Sequence, residues 1–154
     1  NSHPGTILEP SLIANGAARI AAKVFASGMN AERHAISEFN VLKSVQSHPN
    51  VIGLYGVFIT PQVGFSRPPQ WVLALELCRR GDLYEVVQTD GLFDELHGAL
   101  VICGVFAALT YLEEKGIVHR DVKAENILLG EEGKPVLSDF GLAARLDDEE
   151  EMKK

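Results

Sequence analysis

Short apolar runs and one amphipathic segment make up the first half of the chain. Apolar runs at 19–25, 51–59 and 71–77 predict three strands. After the first run, a helix is predicted from a capping residue at Asn30 to about residue 45. Its apolar positions recur every three residues, at Ile36, Phe39, Leu42 and Val45. The first half is therefore predicted to be β-rich with one helix.

The second half of the chain is richer in helix. Asp82 is predicted to cap a short helix at 83–88. A longer segment at 95–115 is apolar on nearly every side, which predicts a buried helix. Two short apolar runs within 127–137, separated by a polar turn, predict a hairpin. Together the two halves predict an α+β fold that changes from sheet to helix near residues 79–82.

The composition indicates one globular domain. The chain has 154 residues, of which 46% are hydrophobic and 23% are charged. Its net charge is −7, but five acidic residues lie in one run at 147–151. Because binding to a nucleic-acid backbone needs clustered Lys and Arg, we expect no nucleic-acid partner. The longest apolar run, at 99–112, is shorter than the roughly 20 residues that span a bilayer, so we expect no membrane partner.

The chain contains two cysteines, Cys78 and Cys103. Two are too few for a disulfide framework or a cysteine metal cluster. Both stand among apolar residues, which predicts buried, reduced thiols. Residues 1–10 lack the basic start and apolar stretch of a secretory signal. An intracellular, cytoplasmic location is therefore expected.

Four polar features stand out against this pattern. Residues 119–126 have the sequence HRDVKAEN, and the tripeptide DFG follows at 139–141. Upstream, Lys23 lies in the first predicted strand and Glu38 lies on the helix after it. In this order and spacing, the four features resemble those of eukaryotic protein kinases of the Ser/Thr type.

The resemblance implies a two-lobed kinase domain that this chain covers only in part. It implies a β-rich N-lobe with one helix at residues 1–78, the end of a hinge at 79–82, and the start of a helical C-lobe at 83–154. It also implies an enzyme that uses ATP and Mg²⁺ to phosphorylate hydroxyl groups of a protein substrate.

The resemblance assigns chemical roles to four residues near the reacting phosphate. Asp121 would accept the proton of the substrate hydroxyl, and Lys123 would contact the γ-phosphate. A lysine at this second position is typical of Ser/Thr members of the family, so Ser and Thr substrates are expected. Asn126 and Asp139 would hold Mg²⁺, which prefers oxygen ligands.

The remaining implied contacts surround the rest of the nucleotide. Lys23 would hold the α- and β-phosphates, and an ion pair with Glu38 would place it. The last predicted strand of the sheet would lead into the hinge, where the Glu76 carbonyl and the Cys78 N–H would bond adenine. The other implied ATP contacts are Ile7, Ala21, Leu128 and, at the ribose, Asp82.

Two neighbouring residues of the HRDVKAEN motif also have implied roles. His119 is expected to be structural and to pack against Phe140. Arg120 resembles the arginine that pairs with a phosphorylated activation loop in many members of the family. None of the five histidines shows metal-ligand spacing.

Simpler alternatives stand beside several of these assignments. An aspartate in a loop is often only a turn former. Lys23 could be an exposed lysine on an edge strand, and Glu32 could take the place of Glu38 on the same helix. Ala21 and Leu128 could be ordinary core residues.

The chain departs from the family pattern near both ends. Of the glycine-rich loop only Gly5-Thr6-Ile7 fits, and no APE motif follows residue 141. We therefore expect a Ser/Thr kinase fragment that is weak or inactive alone, with apolar surface exposed on the helix at 95–115. The alternative is a truncated or pseudokinase-like module that binds nucleotide or a partner without catalysis. A small-molecule kinase of similar fold fits the motifs less well.

Overall fold

The computed structural model describes most of the chain from residue 20 onward. The described residues are 20–26, 28, 30–61, 68–91 and 94–148. The predicted ATP contact Ile7 and most of the acidic run at 147–151 lie outside them. The strands in this part of the chain are β1 (Ile20–Val24), β2 (Leu54–Ile59), β3 (Trp71–Glu76), β4 (Ile117–Val118), β5 (Ile127–Leu129), β6 (Pro135–Leu137) and β7 (Ala144–Arg145). The α-helices are α1 (Ala31–Val45), α2 (Leu83–Asp90) and α3 (Glu95–Glu114).

The three longest strands form an antiparallel sheet in the order β1-β3-β2. The central strand, β3, contributes buried apolar side chains, as its continuous apolar sequence requires. The predicted strands are present, but the apolar run at 51–59 becomes a strand only from Leu54. Before that residue, Val51 and Ile52 pair with Leu137 of β6 instead. The sheet and β6 are thus joined through one short segment.

Helix α1 packs one face toward this sheet. Its buried residues are Ala35, Glu38, Val41, Leu42 and Val45. The predicted apolar stripe is right for Leu42 and Val45, whereas Ile36 and Phe39 are only half-buried. A helix has about 3.6 residues per turn, so a strict three-residue repeat drifts off the buried face. Asn30 occupies the N-cap position as predicted, and the helix runs to Val45 as predicted, but the Asn30 side chain makes no capping hydrogen bond to the described residues.

Helix α2 begins as predicted. Oδ1 of Asp82 accepts a hydrogen bond from the N–H of Glu85 at 2.8 Å, which satisfies a donor of the first helical turn. The helix runs to Asp90 rather than ending at residue 88. It stops at Gly91, whose φ of 87° lies in the left-handed region that glycine adopts without strain.

Helix α3 is buried on one face only. Val101, Ala108 and Leu112 are buried, and the helix packs mainly on β4 and β6. Large apolar side chains on its other faces are exposed, namely Leu96, Leu100, Ile102 and Phe106. The prediction of a buried helix is therefore wrong, and the prediction that this helix exposes apolar surface is confirmed. Cys103 is exposed on the same helix, so its predicted burial is also wrong.

The length of α3 also bears on the membrane prediction. Its 20 residues have the length and apolar composition of a membrane-spanning helix, unlike the shorter uninterrupted run at 99–112. A core helix of a globular protein meets the same two criteria. Length and composition alone are therefore weak support for a membrane span.

Two small sheets hold the sequence motifs next to each other. Strands β5 and β6 pair antiparallel as the predicted hairpin, and β4 pairs with β7. The HRDVKAEN motif lies between β4 and β5, and the DFG tripeptide lies between β6 and β7. Because these strands pair, both motifs come to the same end of the two sheets. The chain thus has the predicted α+β fold.

Candidate active site

Lys23 lies between two carboxylates from distant parts of the chain. Its Nζ donates to Oε1 and Oε2 of Glu38 at 2.8 and 2.7 Å, and to Oδ1 of Asp139 at 2.7 Å. The predicted ion pair with Glu38 is therefore present, and Glu32, which is exposed, does not replace it. The contact with Asp139 joins the sheet and α1 to the DFG segment.

Burial and charge act in opposite directions on this cluster. Burial alone would lower the pKa of Lys23, but the charges of Glu38 and Asp139 outweigh it and raise that pKa. Burial raises the pKa of Glu38, and Lys23 opposes this effect. Burial would also raise the pKa of Asp139, but Lys23 and the Gly141 N–H outweigh it, so the pKa of Asp139 is lowered. Lys23 and Asp139 are thus charged at neutral pH.

A second cluster lies within the HRDVKAEN motif. Oδ2 of Asp121 accepts hydrogen bonds from Lys123 Nζ and from Asn126 Nδ2, both at 2.9 Å. Asn126 also donates to the backbone carbonyl of Asp121 at 2.8 Å, because a turn of 3-10 helix folds it back. The hydrogen bonds from Lys123 and Asn126 lower the pKa of Asp121. Asp121 is therefore an ionised hydrogen-bond acceptor at neutral pH.

His119 connects the two motifs. Its ring is buried and packs edge-on against Phe140, with 4.7 Å between ring centroids, as predicted. Nδ1 accepts a hydrogen bond from the Asp121 N–H, so the proton lies on Nε2, which donates to the Ser138 carbonyl at 2.9 Å. Burial lowers the pKa of His119, which favours this neutral form.

Sequence reasoning missed two residues that complete the connection. The N–H and the hydroxyl of Ser138 both donate to the Asn126 carbonyl, at 2.8 and 3.0 Å. The N–H of Gly141 donates to Oδ1 of Asp139 at 3.3 Å. Their only signal in the sequence is their place beside Asp139, because a backbone N–H leaves no mark on residue type and a single serine hydroxyl does not reveal its acceptor.

The predicted adenine and ribose contacts lie on β1, on β5 and in the segment between β3 and α2. Ala21 pairs with Leu75 across the sheet, and Leu128 of β5 forms a bridge with Asp82. The Asp82 side chain is engaged as the cap of α2, and its contact with a ribose stays a prediction. Ala21 and Leu128 are half-buried, so they are not wholly enclosed core residues.

Glu76 and Cys78 lie where β3 leaves the sheet. Oε2 of Glu76 accepts a hydrogen bond from the Gly53 N–H at 3.2 Å, so its side chain fixes the segment before β2. Cys78 is half-buried rather than fully buried. Burial raises its thiol pKa to about 11, so the thiol stays protonated at neutral pH. Adenine binding by their backbone groups stays a prediction.

Asn126 and Asp139 are the predicted metal ligands. No group of three or more His, Cys, Asp or Glu side chains suited to a metal occurs among the described residues. A metal here would therefore use one carboxylate and one amide oxygen, with phosphate oxygens and water completing its shell. Hard oxygen ligands of this kind fit Mg²⁺.

Arg120 lies beside a cavity between α1 and the DFG segment. Its φ is 66°, and its Nε donates to the Leu142 carbonyl at 2.6 Å. The cavity has a volume of about 430 Å³, and Arg33, His34 and Ser37 of α1 also line it. Two arginines at one cavity suit an anion. Pairing with a phosphorylated loop stays a prediction.

Comparison with known proteins agrees with this geometry. The sequence profile of the protein kinase domain matches residues 13–154. The chain therefore belongs to the protein kinase family, as the sequence resemblance indicated.

Several kinases are similar to this chain. It is 41% identical over 143 residues to the mouse (Mus musculus) inhibitor of nuclear factor kappa-B kinase subunit epsilon, covering 86% of this chain and 19% of that protein. It is 39% identical over 94 residues to mouse Aurora kinase B, covering 61% and 25%. It is 34% identical over 109 residues to serine/threonine-protein kinase PEPKR2 of Arabidopsis thaliana, covering 71% and 22%. The chain thus spans a quarter or less of each of these relatives.

Proposed function

We propose that this chain is the ATP-binding and catalytic part of a protein kinase that phosphorylates Ser and Thr side chains with Mg²⁺ as its metal. In this proposal residues 1–78 form the N-lobe, 79–82 end the hinge and 83–154 begin the C-lobe. The observation that carries it is the position of Lys23 Nζ, 2.7 Å from both Glu38 and Asp139. Lys123 and the names of similar Ser/Thr kinases support the choice of substrate.

Lys23 supplies positive charge where the α- and β-phosphates of ATP bind. The Glu38 carboxylate, 1% exposed, contacts Nζ through both oxygens and so limits the directions in which Lys23 can extend. When ATP binds, its phosphate oxygens replace Asp139 as the acceptor of a hydrogen bond from Lys23 Nζ. Such fixed positive charge stabilises the transferring phosphoryl group without reorganisation.

Asp121 acts on the substrate hydroxyl, and Lys123 acts on the γ-phosphate of ATP. The ionised Asp121 accepts the proton of the Ser or Thr hydroxyl and orients it for attack on the γ-phosphate. Lys123 Nζ lies 2.9 Å from the same carboxylate, and in this proposal its charge stabilises the transferring γ-phosphate. The N–H···O bonds from Asn126 hold Asp121 in one orientation while this occurs.

Asn126 and Asp139 would hold the metal, whose charge would offset that of the phosphates when it is bound. Amide Nδ2 of Asn126 is committed to Asp121, which directs the other end of the amide, its oxygen, away from that residue. A carboxylate and an amide oxygen supply two of the ligands that Mg²⁺ needs.

The test is phosphorylation by the full-length protein that contains this chain. With Mg²⁺ and γ-labelled ATP, we expect label on Ser and Thr of a mixed protein substrate, identified by phosphoamino acid analysis. Asp121→Asn should lower the rate at least a hundredfold. Label on Tyr alone would contradict the Ser/Thr assignment, and full activity of the variant would contradict the catalytic one.

A second candidate is a module that binds nucleotide or a partner without catalysis. The exposed apolar face of α3 favours it for the isolated chain, because apolar surface of this kind is usually covered in an active domain. We propose that residues 1–154 alone are weak or inactive. Binding of ATP by the full-length protein without transfer of label would favour this candidate over the first.

A further inference from the structure

Ser138 lies directly before Asp139, and its side chain has no role in the chemistry proposed above. Its buried hydroxyl donates to the Asn126 backbone carbonyl at 3.0 Å, and its N–H donates to the same oxygen at 2.8 Å. A carbonyl oxygen has two lone pairs, so this one residue can engage both of them. The N–H bond alone fixes a distance, whereas the two bonds together also fix how the Asn126 peptide group is turned toward Ser138.

His119 and Asp121 join this pair into a closed ring of hydrogen bonds. His119 Nε2 donates to the Ser138 carbonyl at 2.9 Å, and His119 Nδ1 accepts from the Asp121 N–H at 3.3 Å. Asn126 Nδ2 closes the ring by donating to the carbonyl and to Oδ2 of Asp121. In this ring, the bond from Ser138 Oγ connects Asn126 with the residue that precedes Asp139.

The backbone turns sharply directly after Ser138. The φ of Asp139 is 57°, which lies in the left-handed region that a residue with a side chain keeps only where its surroundings hold it there. This turn brings the Asp139 carboxylate to Lys23 Nζ. Freedom gained at Ser138 would therefore pass to the turn and change the position of the carboxylate relative to Asn126.

We propose that Ser138 is a positioning residue for the metal, because its hydroxyl sets the position of Asn126 relative to Asp139. The inference rests on the proposed function, since it takes the Asn126 amide oxygen and the Asp139 carboxylate as ligands of Mg²⁺. Ligands that neighbouring hydrogen bonds already hold in place bind a metal more tightly than ligands that the metal must order. The simpler alternative is that the buried hydroxyl only satisfies its own need for a hydrogen-bond partner.

Metal affinity distinguishes these alternatives. In Ser138→Ala the backbone N–H still bonds the Asn126 carbonyl, so no buried acceptor loses its last partner and the variant is expected to fold. The experiment measures Mn²⁺ binding by electron paramagnetic resonance, with the full-length protein and a non-hydrolysable ATP analogue. Loss of one neutral hydrogen bond should weaken Mn²⁺ binding about 2–10-fold in Ser138→Ala. Ser138→Thr keeps the hydroxyl and should bind Mn²⁺ within about twofold of the wild type.

Two further variants separate positioning from packing. Val136→Ala removes buried methyl groups from the same strand but no hydrogen-bonding group. Its Mn²⁺ affinity should stay within about twofold of the wild type at a temperature where both proteins are folded. If Ser138→Thr or Ser138→Ala does not fold, Ser138→Cys keeps the approximate size of the side chain with a weaker donor, and weaker Mn²⁺ binding is expected there too.

Unchanged Mn²⁺ affinity in folded Ser138→Ala would overturn the proposal, and so would an equal loss of affinity in Val136→Ala. Weaker binding in Ser138→Ala by a protein that transfers no phosphate would support the positioning role and contradict the kinase activity. A wild type that binds no Mn²⁺ together with the nucleotide would contradict both the positioning role and the proposed metal ligands.

Discussion

Replacing Gly104 with alanine tests how α3 packs on the strand that leads to the active site. An added Cβ would overlap the ring of Pro135 and lie 2.9 Å from Nδ2 of Asn50. The higher helix propensity of alanine would stabilise α3 by about 1 kcal/mol. Overpacking costs about 1–3 kcal/mol, and Asn50 can yield only by breaking its bond to β6. The difference is a net loss of about 0–2 kcal/mol in local stability, and we expect its upper half, about 1–2 kcal/mol, because the clash meets a ring and a bonded amide.

A second glycine on α3 provides the matched control. No atom lies within 4 Å of a Cβ added to Gly98, so Gly98→Ala should stabilise the helix by about 0.5–1 kcal/mol. Hydrogen exchange of α3 and β6 peptides in the full-length protein measures both changes as local opening free energies. Exchange should be about 5–30 times faster in Gly104→Ala and slower in Gly98→Ala. If Gly104→Ala slowed exchange relative to the wild type as much as Gly98→Ala does, the packing of α3 on β6 would be refuted.

Four further outcomes follow from contacts in and near the site. Glu38→Gln removes the charge that holds Lys23, and a fluorescent ATP analogue should bind at least about tenfold more weakly. Asp82→Ala should lower the local stability of α2 by about 1 kcal/mol in hydrogen exchange, and Asp82→Asn, which can still cap, by less. The raised pKa of Lys23 makes its contribution to stability complete below pH 10.5 and lost as the pH rises further, so the melting temperatures of the wild type and Lys23→Met should converge there. The lowered pKa of Asp139 has the opposite sign, and its contribution should be lost as the pH falls below 3.8.

Much of the site could be predicted because its parts are short motifs with fixed spacing. A lysine in a strand and a glutamate two turns into the next helix meet when that helix packs on the sheet, as Lys23 and Glu38 do. The bonds among Asp121, Lys123 and Asn126 span only five residues, so local turn geometry suffices for them. The α+β fold followed from strand and helix patterns for the same reason.

The parts that could not be predicted depend on neighbours distant in sequence. The exposure of α3 is decided by which elements pack against it, whereas an apolar sequence alone predicts burial. Asparagine is a favoured residue at the N-cap position, but the backbone angles at Asn30 decide whether its side chain makes the capping hydrogen bond. The bond from Asn50 to Pro135 crosses 85 residues of chain and leaves no periodic signal in either segment.

The account as a whole depends on whether Asp121 serves the transfer step rather than ATP binding. The direct measurement compares ATP affinity and turnover of the full-length protein with those of Asp121→Asn. We expect the variant to bind Mg²⁺-ATP within about threefold of the wild type and to lose about 10²–10⁴-fold in turnover, the range for a missing general base. Turnover by Asp121→Asn equal to that of the wild type would contradict the account.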